Sequence, residues 1–385
     1  MTTDTLQTHH RTLTLERPGT TDRTLRAWDA ADELLLEQTD AWLDSHGSAR
    51  VLVVDDQFGA LTLGLVHANP VSVADSATLA VALARNSGAN RLADMRPLNW
   101  LEAPQGPFDV VVLRIPRQLD YLSWLLRWSN GVLAPEGVVI AGGMIKHLPD
   151  RCAEVFQDLL EGRQVVPARK KARVVICGRG RAGLDNWPGH WKGYAPDVGA
   201  PMVSGLPAVF ARERLDIGTR LLLPEVRKAA AALKPAARVL DLACGNGVLG
   251  LEVLRARPDV SVSFSDVSSQ AVASARENVA CLGGGYDVAF DHRDGLAAEA
   301  GAFDLILLNP PFHEGGVVGD HIALRLFQQA ARHLTESGQL LMVGNRHLGY
   351  HRSLKRYFPV VEQRQADPKF VVFAAGRQSA GVGRS

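Results

Sequence analysis

The chain is poor in cysteine. Cys152, Cys177, Cys244 and Cys281 are the four in 385 residues, with no Cys-x-x-Cys pair and no Cys/His cluster. That excludes a disulfide scaffold and offers no zinc-ligand spacing, so a reducing compartment and no metal are expected. A charge surplus is missing too: 42 Lys and Arg stand against 41 Asp and Glu, a net charge of +1. Any nucleic-acid partner must therefore be met by local basic patches rather than by an overall polycation. No run of about 18 apolar residues is present to span a membrane as a helix. The opening MTTDTLQTHHRTL has no apolar stretch behind a basic one, as a secretory signal would. A cytoplasmic location is expected, and nothing implies a stable protein partner. Apolar residues at 46% and charged residues at 22% describe a globular protein with chain enough for two or three domains.

What is present is a rhythm. VLDLA (239–243) reads as a buried strand, followed by a Gly-Asn-Gly turn and a helix through Arg257. SVSFSD (261–266), FDLILL (303–308), QLLMVGN (339–345) and KFVVFAAG (369–376) are further strands, with helical stretches between most of them. Strand and helix in alternation predict an α/β fold, a mostly parallel sheet with helices on both faces. The pair YFPVVEQRQ and KFVVF predicts an antiparallel hairpin at one edge.

The first half repeats the plan in worn form. ARVLVVDDQFGALTLGL (49–65) lies over ARVLDLACGNGVLGLEV (237–253) at an offset of 188. VSVAD (71–75), FDVVVLRIPR (108–117), GVVIAGG (137–143) and RVVICG (173–178) follow in matching order. A tandem duplication is the economical explanation. The predicted organisation is a degenerate domain over 1–182, a Gly/Pro/Trp-rich connector over 183–201, a catalytic domain over 202–377 and a disordered tail over 378–385. Opposite Asp241 stands Val53, opposite Gly245 stands Gln57, and opposite Asn309-Pro310-Pro311-Phe312 stands Arg114-Ile115-Pro116-Arg117. Loops at strand C-termini hold the ligand in such sheets. The first domain is therefore expected to keep the fold and lose the ligand, or to bind a different small molecule.

Gly245-Asn246-Gly247-Val248-Leu249-Gly250 satisfies G-x-G-x-x-G, and Asp266 follows 21 residues after Gly245. An NAD-dependent dehydrogenase has this pattern. Asp241, inside the strand that feeds the turn, opposes it, because a carboxylate beside a pyrophosphate is unfavourable. A cofactor with a cationic amino-acid end suits it better, and that cofactor is S-adenosylmethionine. Asp266 is placed for the ribose hydroxyls and Asp294 for the adenine amine; each acid alone could equally be a solvated loop residue. The cofactor-binding candidates are Asp241, Ala243, Gly245, Asn246, Gly247, Asp266, Val267, Asp294 and Asn309.

Asn309-Pro310-Pro311-Phe312 points to the reaction. An exocyclic or amide NH2 is a poor nucleophile because its lone pair is delocalised. The Asn309 carboxamide oxygen and the Pro310 carbonyl can each accept one N–H and aim the nitrogen at a methyl donor. Phe312 offers a face for a planar base. The catalytic candidates are Asn309, Pro310 and Phe312; a bare turn after a strand is the plainer alternative. Cys244 has no partnering His and reads as a small buried residue.

VLDLACGNGVLG and NPPF resemble the first and fourth motifs of class I methyltransferases that modify amino nitrogens, and in particular the ribosomal RNA guanine-N2 methyltransferases. Members built as an inactive N-terminal copy before an active C-terminal one act on either subunit. LRAWDAADELLLEQ (25–38), KKAR (170–173), VFARERLDIGTR (209–220), NPPFHEGG (309–316) and NRHLGYHRSLKRYF (345–358) are similar to the large-subunit type over nearly the whole chain. The resemblance implies two tandem Rossmann-like class I methyltransferase domains. It implies methyl transfer from S-adenosylmethionine to the N2 amine of a guanine in 23S rRNA, with binding roles for Gly245, Asp266, Asp294 and Asn309. Alternatives are the 16S counterpart, an adenine or protein-glutamine N-methyltransferase, the dehydrogenase, and a non-enzymatic RNA-binding scaffold.

RNA contacts are expected from two basic stretches. Arg163 to Arg181 holds seven Lys or Arg and no acid, and Arg346 to Arg356 holds four. The candidates are Arg169, Lys170, Lys171, Arg173, Arg346, Arg352, Lys355 and Arg356, with Arg212 added from the segment before the catalytic domain's first strand; a solvated basic face is the bland alternative. Asp216 and Gly218 are expected to cap the following helix.

Overall fold

The computed structural model describes residues 5–19, 25–311 and 321–378. Phe312 and nearly all of the 378–385 tail lie outside them. The chain divides into two compact units, Met1–His190 and Trp191–Ser385.

In the first unit, β1 (Thr5–Gln7) and β2 (Thr12–Thr14) form a hairpin ahead of α1 (Ala30–His46). Then come β3 (Val51–Val54), α2 (Ala60–Gly64), β4 (Val71–Val73), α3 (Thr78–Ala89), β5 (Phe108–Arg114) and α4 (Leu119–Val132). The unit continues with β6 (Leu133–Met144), α5 (Cys152–Leu159), β7 (Glu161–Val165) and β8 (Ala172–Gly178). The sheet runs β4-β3-β5-β6-β8-β7, parallel up to β6 and antiparallel beyond it.

The second unit opens with β9 (Lys192–Tyr194) paired to β10 (Val203–Gly205), then α6 (Ile217–Ala231), β11 (Arg238–Leu242), α7 (Val248–Ala256) and β12 (Ser261–Asp266). It goes on through α8 (Ser269–Leu282), β13 (Asp287–His292), β14 (Phe303–Leu308), α9 (His321–Arg332) and β15 (Leu334–Asn345), and ends with α10 (Tyr350–Leu354), β16 (Val360–Ala366) and β17 (Phe370–Gly376). Its sheet runs β13-β12-β11-β14-β15-β17-β16. The expected edge hairpin is β16–β17, antiparallel, with β16 outermost.

Without β13 the two strand orders coincide, and details repeat. Arg50 donates from its backbone to Asp109, sends its guanidinium to the carbonyls of Pro107 and Gln105, and lies over the Phe108 ring at 4.7 Å. Arg238 does the same with Asp304, Ala302, Ala300 and Phe303, again at 4.7 Å. Both pairings of the fourth and fifth parallel-plan strands break register at the same place, after Phe108 and after Phe303. Such agreement in both fold and irregularity marks the two units as copies.

Alternation within the second sheet fills two cores. Val239, Leu305 and Leu307 pack with Leu222, Leu251 and Ala275 from α6, α7 and α8. Leu240, Leu242, Ile306 and Leu308 face the other way, against Phe327 of α9 and Leu354 of α10. Each strand is thus apolar on both faces, which is why it reads as an unbroken run. The segment 183–201 is divided: Trp187 lies under the Arg127 guanidinium at 5.0 Å, whereas Lys192–Tyr194 joins the second unit's hairpin. Among the described residues no helix is long and apolar enough to cross a membrane.

Candidate active site

β11 delivers Asp241 to the core and then breaks into a turn with φ of 55° at Ala243, 55° at Gly245 and 83° at Gly247. Left-handed backbone suits the two glycines, while Ala243 carries a steric cost of about 1–2 kcal/mol. Asp55, its counterpart in the first copy, has the same φ of 55°. The turn is held from outside. Asn278 of α8 donates to the Asn246 carbonyl at 2.9 Å, and Asn246 donates to the Tyr194 hydroxyl at 3.2 Å.

Asp241 is 1% exposed. Its Oδ2 accepts the Gly250 N–H at 2.8 Å, and its Oδ1 is buried without a hydrogen bond. Burial pushes its carboxyl up to about 8, against the pull of the Gly250 N–H and with a further push from Asp266. The third glycine of the motif is required by packing: a Cβ at Gly250 would stand 2.3 Å from Phe264 Cε1.

Asp266 ends β12 beside the turn, accepting Gly245 N–H at Oδ2 and Ser268 N–H at Oδ1, both at 2.9 Å. The adjoining Val267 carbonyl lies 3.0 Å from His292 Nε2. Asp294, in the loop after β13, is clamped by both guanidinium nitrogens of Arg325 in α9, one of them at 2.7 Å. Sequence reading did not find this partner. Cys244 is buried, and burial above all holds its thiol well above the ordinary value, so it is no nucleophile at neutral pH.

At the end of β14, Asn309 donates its amide to Asp216 Oδ2 at 3.2 Å and to Thr219 Oγ1 at 3.0 Å. Asp216 also N-caps α6, accepting Thr219 N–H at 2.9 Å. A carboxylate only accepts, so the Asn309 NH2 must face it and its Oδ1 must turn away. That Oδ1 is buried and has no hydrogen-bond partner. Pro310 is buried behind it and Pro311 is exposed. The expected cap at Asp216 is present; its grip on Asn309 was not foreseen, because an N-cap gives no sign of a partner 93 residues away.

The first copy keeps the cap but not the amide. There the N-cap of α1, Asp29, grips Arg114 at 2.9 and 3.1 Å, and Asp32 stands 3.2 Å from the same guanidinium. A buried cation replaces the open acceptor.

Arg346, Arg352, Lys355 and Arg356 are exposed on and beside α10. Lys171 and Arg173 are exposed around the start of β8, while Arg169 and Lys170 are exposed but paired with Glu37 at 2.6 Å and Glu33 at 2.8 Å. Arg212 needs correction. It is 5% exposed, so its guanidinium is held inside the second unit and is not presented to a phosphate.

Residues 3–181 match the RLMG N-terminal domain model, and residues 201–374 match the methyltransferase small domain. Pseudomonas aeruginosa (strain UCBPP-PA14) has a ribosomal RNA large subunit methyltransferase G that is 40% identical, covering 94% of this chain and 96% of its own. The Pseudomonas putida (strain F1) protein of the same name is 42% identical over the same shares. The chain belongs to the ribosomal RNA large subunit methyltransferase G family. It is accordingly a methyltransferase dependent on S-adenosylmethionine. A T. thermophilus 16S rRNA N2 G1207 methyltransferase in complex with AdoMet and guanosine shares the fold over 97% of both chains, with a TM-score of 0.74 at 22% identity. The tandem α/β arrangement of the family member is thus seen in a solved structure as well.

The site fits the cofactor on its own terms. A buried carboxylate oxygen without a partner suits a cationic amino-acid end, and Gly245, whose Cβ position meets nothing within 4 Å, leaves room for it. A carboxylate offers about four acceptor sites, so Asp266 can serve backbone and ribose together.

Proposed function

We propose that this protein transfers a methyl group from S-adenosylmethionine to the exocyclic N2 amine of a guanine in 23S rRNA, in the cytoplasm. The observation that carries the reading is the buried, unpartnered Oδ1 of Asn309, turned away from Asp216 and Thr219, which hold the amide nitrogen. When bound, S-adenosylmethionine supplies an electrophilic methyl on sulfonium. Asp266 takes the ribose hydroxyls, Asp241 faces the amino-acid end, and the turn Ala243 to Gly247 with Val267 lines the moiety between them. Asp294 reaches the adenine side and keeps Arg325 as its clamp.

Asn309 Oδ1 and the Pro310 carbonyl accept the two N–H bonds of the amine. This turns the nitrogen lone pair out of conjugation and toward the methyl, and it disperses the positive charge that grows on nitrogen. One acceptor used in this way is worth about 10²–10³ in kcat. A stacking role for Phe312 stays a reading of residue type, since that residue lies outside the described ones. The exposed cations Arg346, Arg352, Lys355 and Arg356, with Arg169, Lys170, Lys171 and Arg173, meet backbone phosphates. Relatives named for the large subunit, about 40% identical over most of the chain, support 23S over 16S.

The test is transfer of labelled methyl to deproteinised 23S rRNA, 16S rRNA and assembled subunits, with Asn309→Ala as the blank. Label on 23S alone, recovered as N2-methylguanosine, is expected. Label on 16S alone reassigns the substrate, and no label on RNA with cofactor bound overturns the reading.

A further inference from the structure

Three side chains of the first unit, His9, His10 and Asp40, come together, and a fourth, His67, stands beside Asp40 and His10. His9 and His10 sit at the tip of the β1–β2 hairpin, a turn closed by Thr8 N–H to the Arg11 carbonyl at 2.9 Å. Asp40 comes from α1, and His67 from the single 3-10 turn Val66–Ala68 after α2. Ligand atoms of His9, His10 and Asp40 all lie within 4.8 Å of one another. His67 Nε2 is 3.3 Å from Asp40 Oδ1, and His10 Nε2 is 3.7 Å from the same oxygen. The His10 and His67 rings are 3.8 Å apart.

The carboxylate is the informative member. Asp40 is 4% exposed, yet its Oδ1 makes no hydrogen bond. Two imidazole nitrogens stand close to it without directing an N–H at it. A buried charged oxygen left so is costly. A cation shared by these lone pairs removes the cost. In a tetrahedral site with bonds of about 2.0–2.1 Å, two ligand atoms are about 3.3 Å apart, which is the spacing of His67 and Asp40. Access exists as well: His9 and Asp40 border a cavity of about 560 Å³ that Glu33, Glu37 and Asp44 also line. The opposing positive charges are Arg11 beside His67 and Arg169, which also lines the cavity and is paired with Glu37, while Asp44 adds negative charge beside Asp40.

We infer that His9, His10 and Asp40, with His67 as the fourth ligand from its place beside Asp40, form a binding site for a divalent zinc-type cation, which ties the β1–β2 hairpin to α1 and the 3-10 turn. Nitrogen and carboxylate ligands in a four-coordinate set favour such an ion over calcium or magnesium, which prefer oxygen and higher coordination. Residue spacing does not reveal the site, because its ligands lie about 30 residues apart in three elements.

The test uses the full chain, stripped with a chelator and titrated with Zn²⁺ alone by calorimetry, with Co²⁺ as a spectroscopic probe. One equivalent is expected, with the intense visible bands of four-coordinate cobalt and a raised Tm. His10→Ala and His67→Ala remove partly exposed side chains (34% and 26%) and should keep the fold. Each should weaken Zn²⁺ binding beyond the roughly 10–100-fold typical of a change outside the ligands. Circular dichroism and Tm without metal check that the variants fold. His347→Ala/His351→Ala serves as the control for adventitious surface histidines. Absence of binding to the stripped protein overturns the site, as does equal affinity in His67→Ala or loss of binding in the His347/His351 control.

Discussion

Asp216 accepts the Asn309 amide at 3.2 Å while capping α6, and the duplicated pair Asp29 and Arg114 repeats that bond at 2.9 Å in the first copy. The N-cap carboxylate has been kept in both halves; its partner has changed. In the second half the partner is an amide that must present its oxygen. In the first it is a guanidinium, which has no acceptor to present.

Asn309→Ala is expected to lower kcat by about 10²–10³ with little change in S-adenosylmethionine Kd. Asp216→Ala frees the amide to flip and should lower kcat by a smaller factor, rescued in part by Asp216→Asn, whose oxygen can still accept. Single-turnover methyl transfer beside cofactor calorimetry separates these effects. A loss of cofactor affinity equal to the loss of rate would contradict the orienting role.

Asp241 carries the pH prediction. Its folded carboxyl sits at about 8 against an ordinary 3.8, so between those values the folded state binds more protons than the unfolded one. Stability from this group is full below the ordinary value and is lost as pH rises through the folded one. Asp241→Asn removes the dependence while its side-chain oxygen can still accept the Gly250 N–H. The variant's Tm should therefore gain on wild type progressively from about pH 4 to pH 8. Saturating S-adenosylmethionine should close the gap by stabilising wild type selectively. A Tm difference constant across this range refutes the assignment.

Gly250→Ala should destabilise by about 1–3 kcal/mol, because its Cβ would meet Phe264 at 2.3 Å and 2.7 Å. Gly131→Ala is the counter-case. It lies in α4 with nothing within 4 Å of the added Cβ, and should stabilise by about 0.4–1 kcal/mol. Urea titrations of both variants read the two signs directly.

Arg352→Glu/Arg356→Glu should weaken rRNA binding and flatten its salt dependence by about 0.7–0.9 per lost phosphate contact. Glu33→Gln/Glu37→Gln acts in the opposite direction, freeing Lys170 and Arg169 from exposed pairs that contribute about 0–1 kcal/mol each. Filter binding across a salt series tests both; unchanged affinity in the Arg352/Arg356 variant removes that patch from the RNA surface.

Much of this was legible in order along the chain. Apolar runs such as VLDL and FDLILL announce strands buried on both faces, and the glycine turn with Asp266 is local enough to read. Pairings across long separations were not legible. Asp216 advertises only a cap, Asp294 gives no sign of Arg325, and His9, His10, Asp40 and His67 share no spacing. Arg212 misled for a different reason: residue type suggests a surface, and the segment before α6 folds it inside. A side chain's partner is a property of topology, which short-range pattern does not encode.

β17 sits between β15 and β16, pairing with β15 from Asn345–Phe370 to Gln339–Gly376, although it is the last of the seven strands to be synthesised. Its counterpart β8 ends at Gly178, 198 residues earlier. At about 5–20 residues per second on the ribosome, the first copy has its whole sheet available some 10–40 s before the second. For the last part of that interval, from the completion of β15 at Asn345 to that of β17 at Gly376, the apolar edge of β15 stays unpaired. The second copy thus matures last, after a finished one of the same design, and a chain cut short before residue 370 holds a complete first sheet followed by an open, aggregation-prone one.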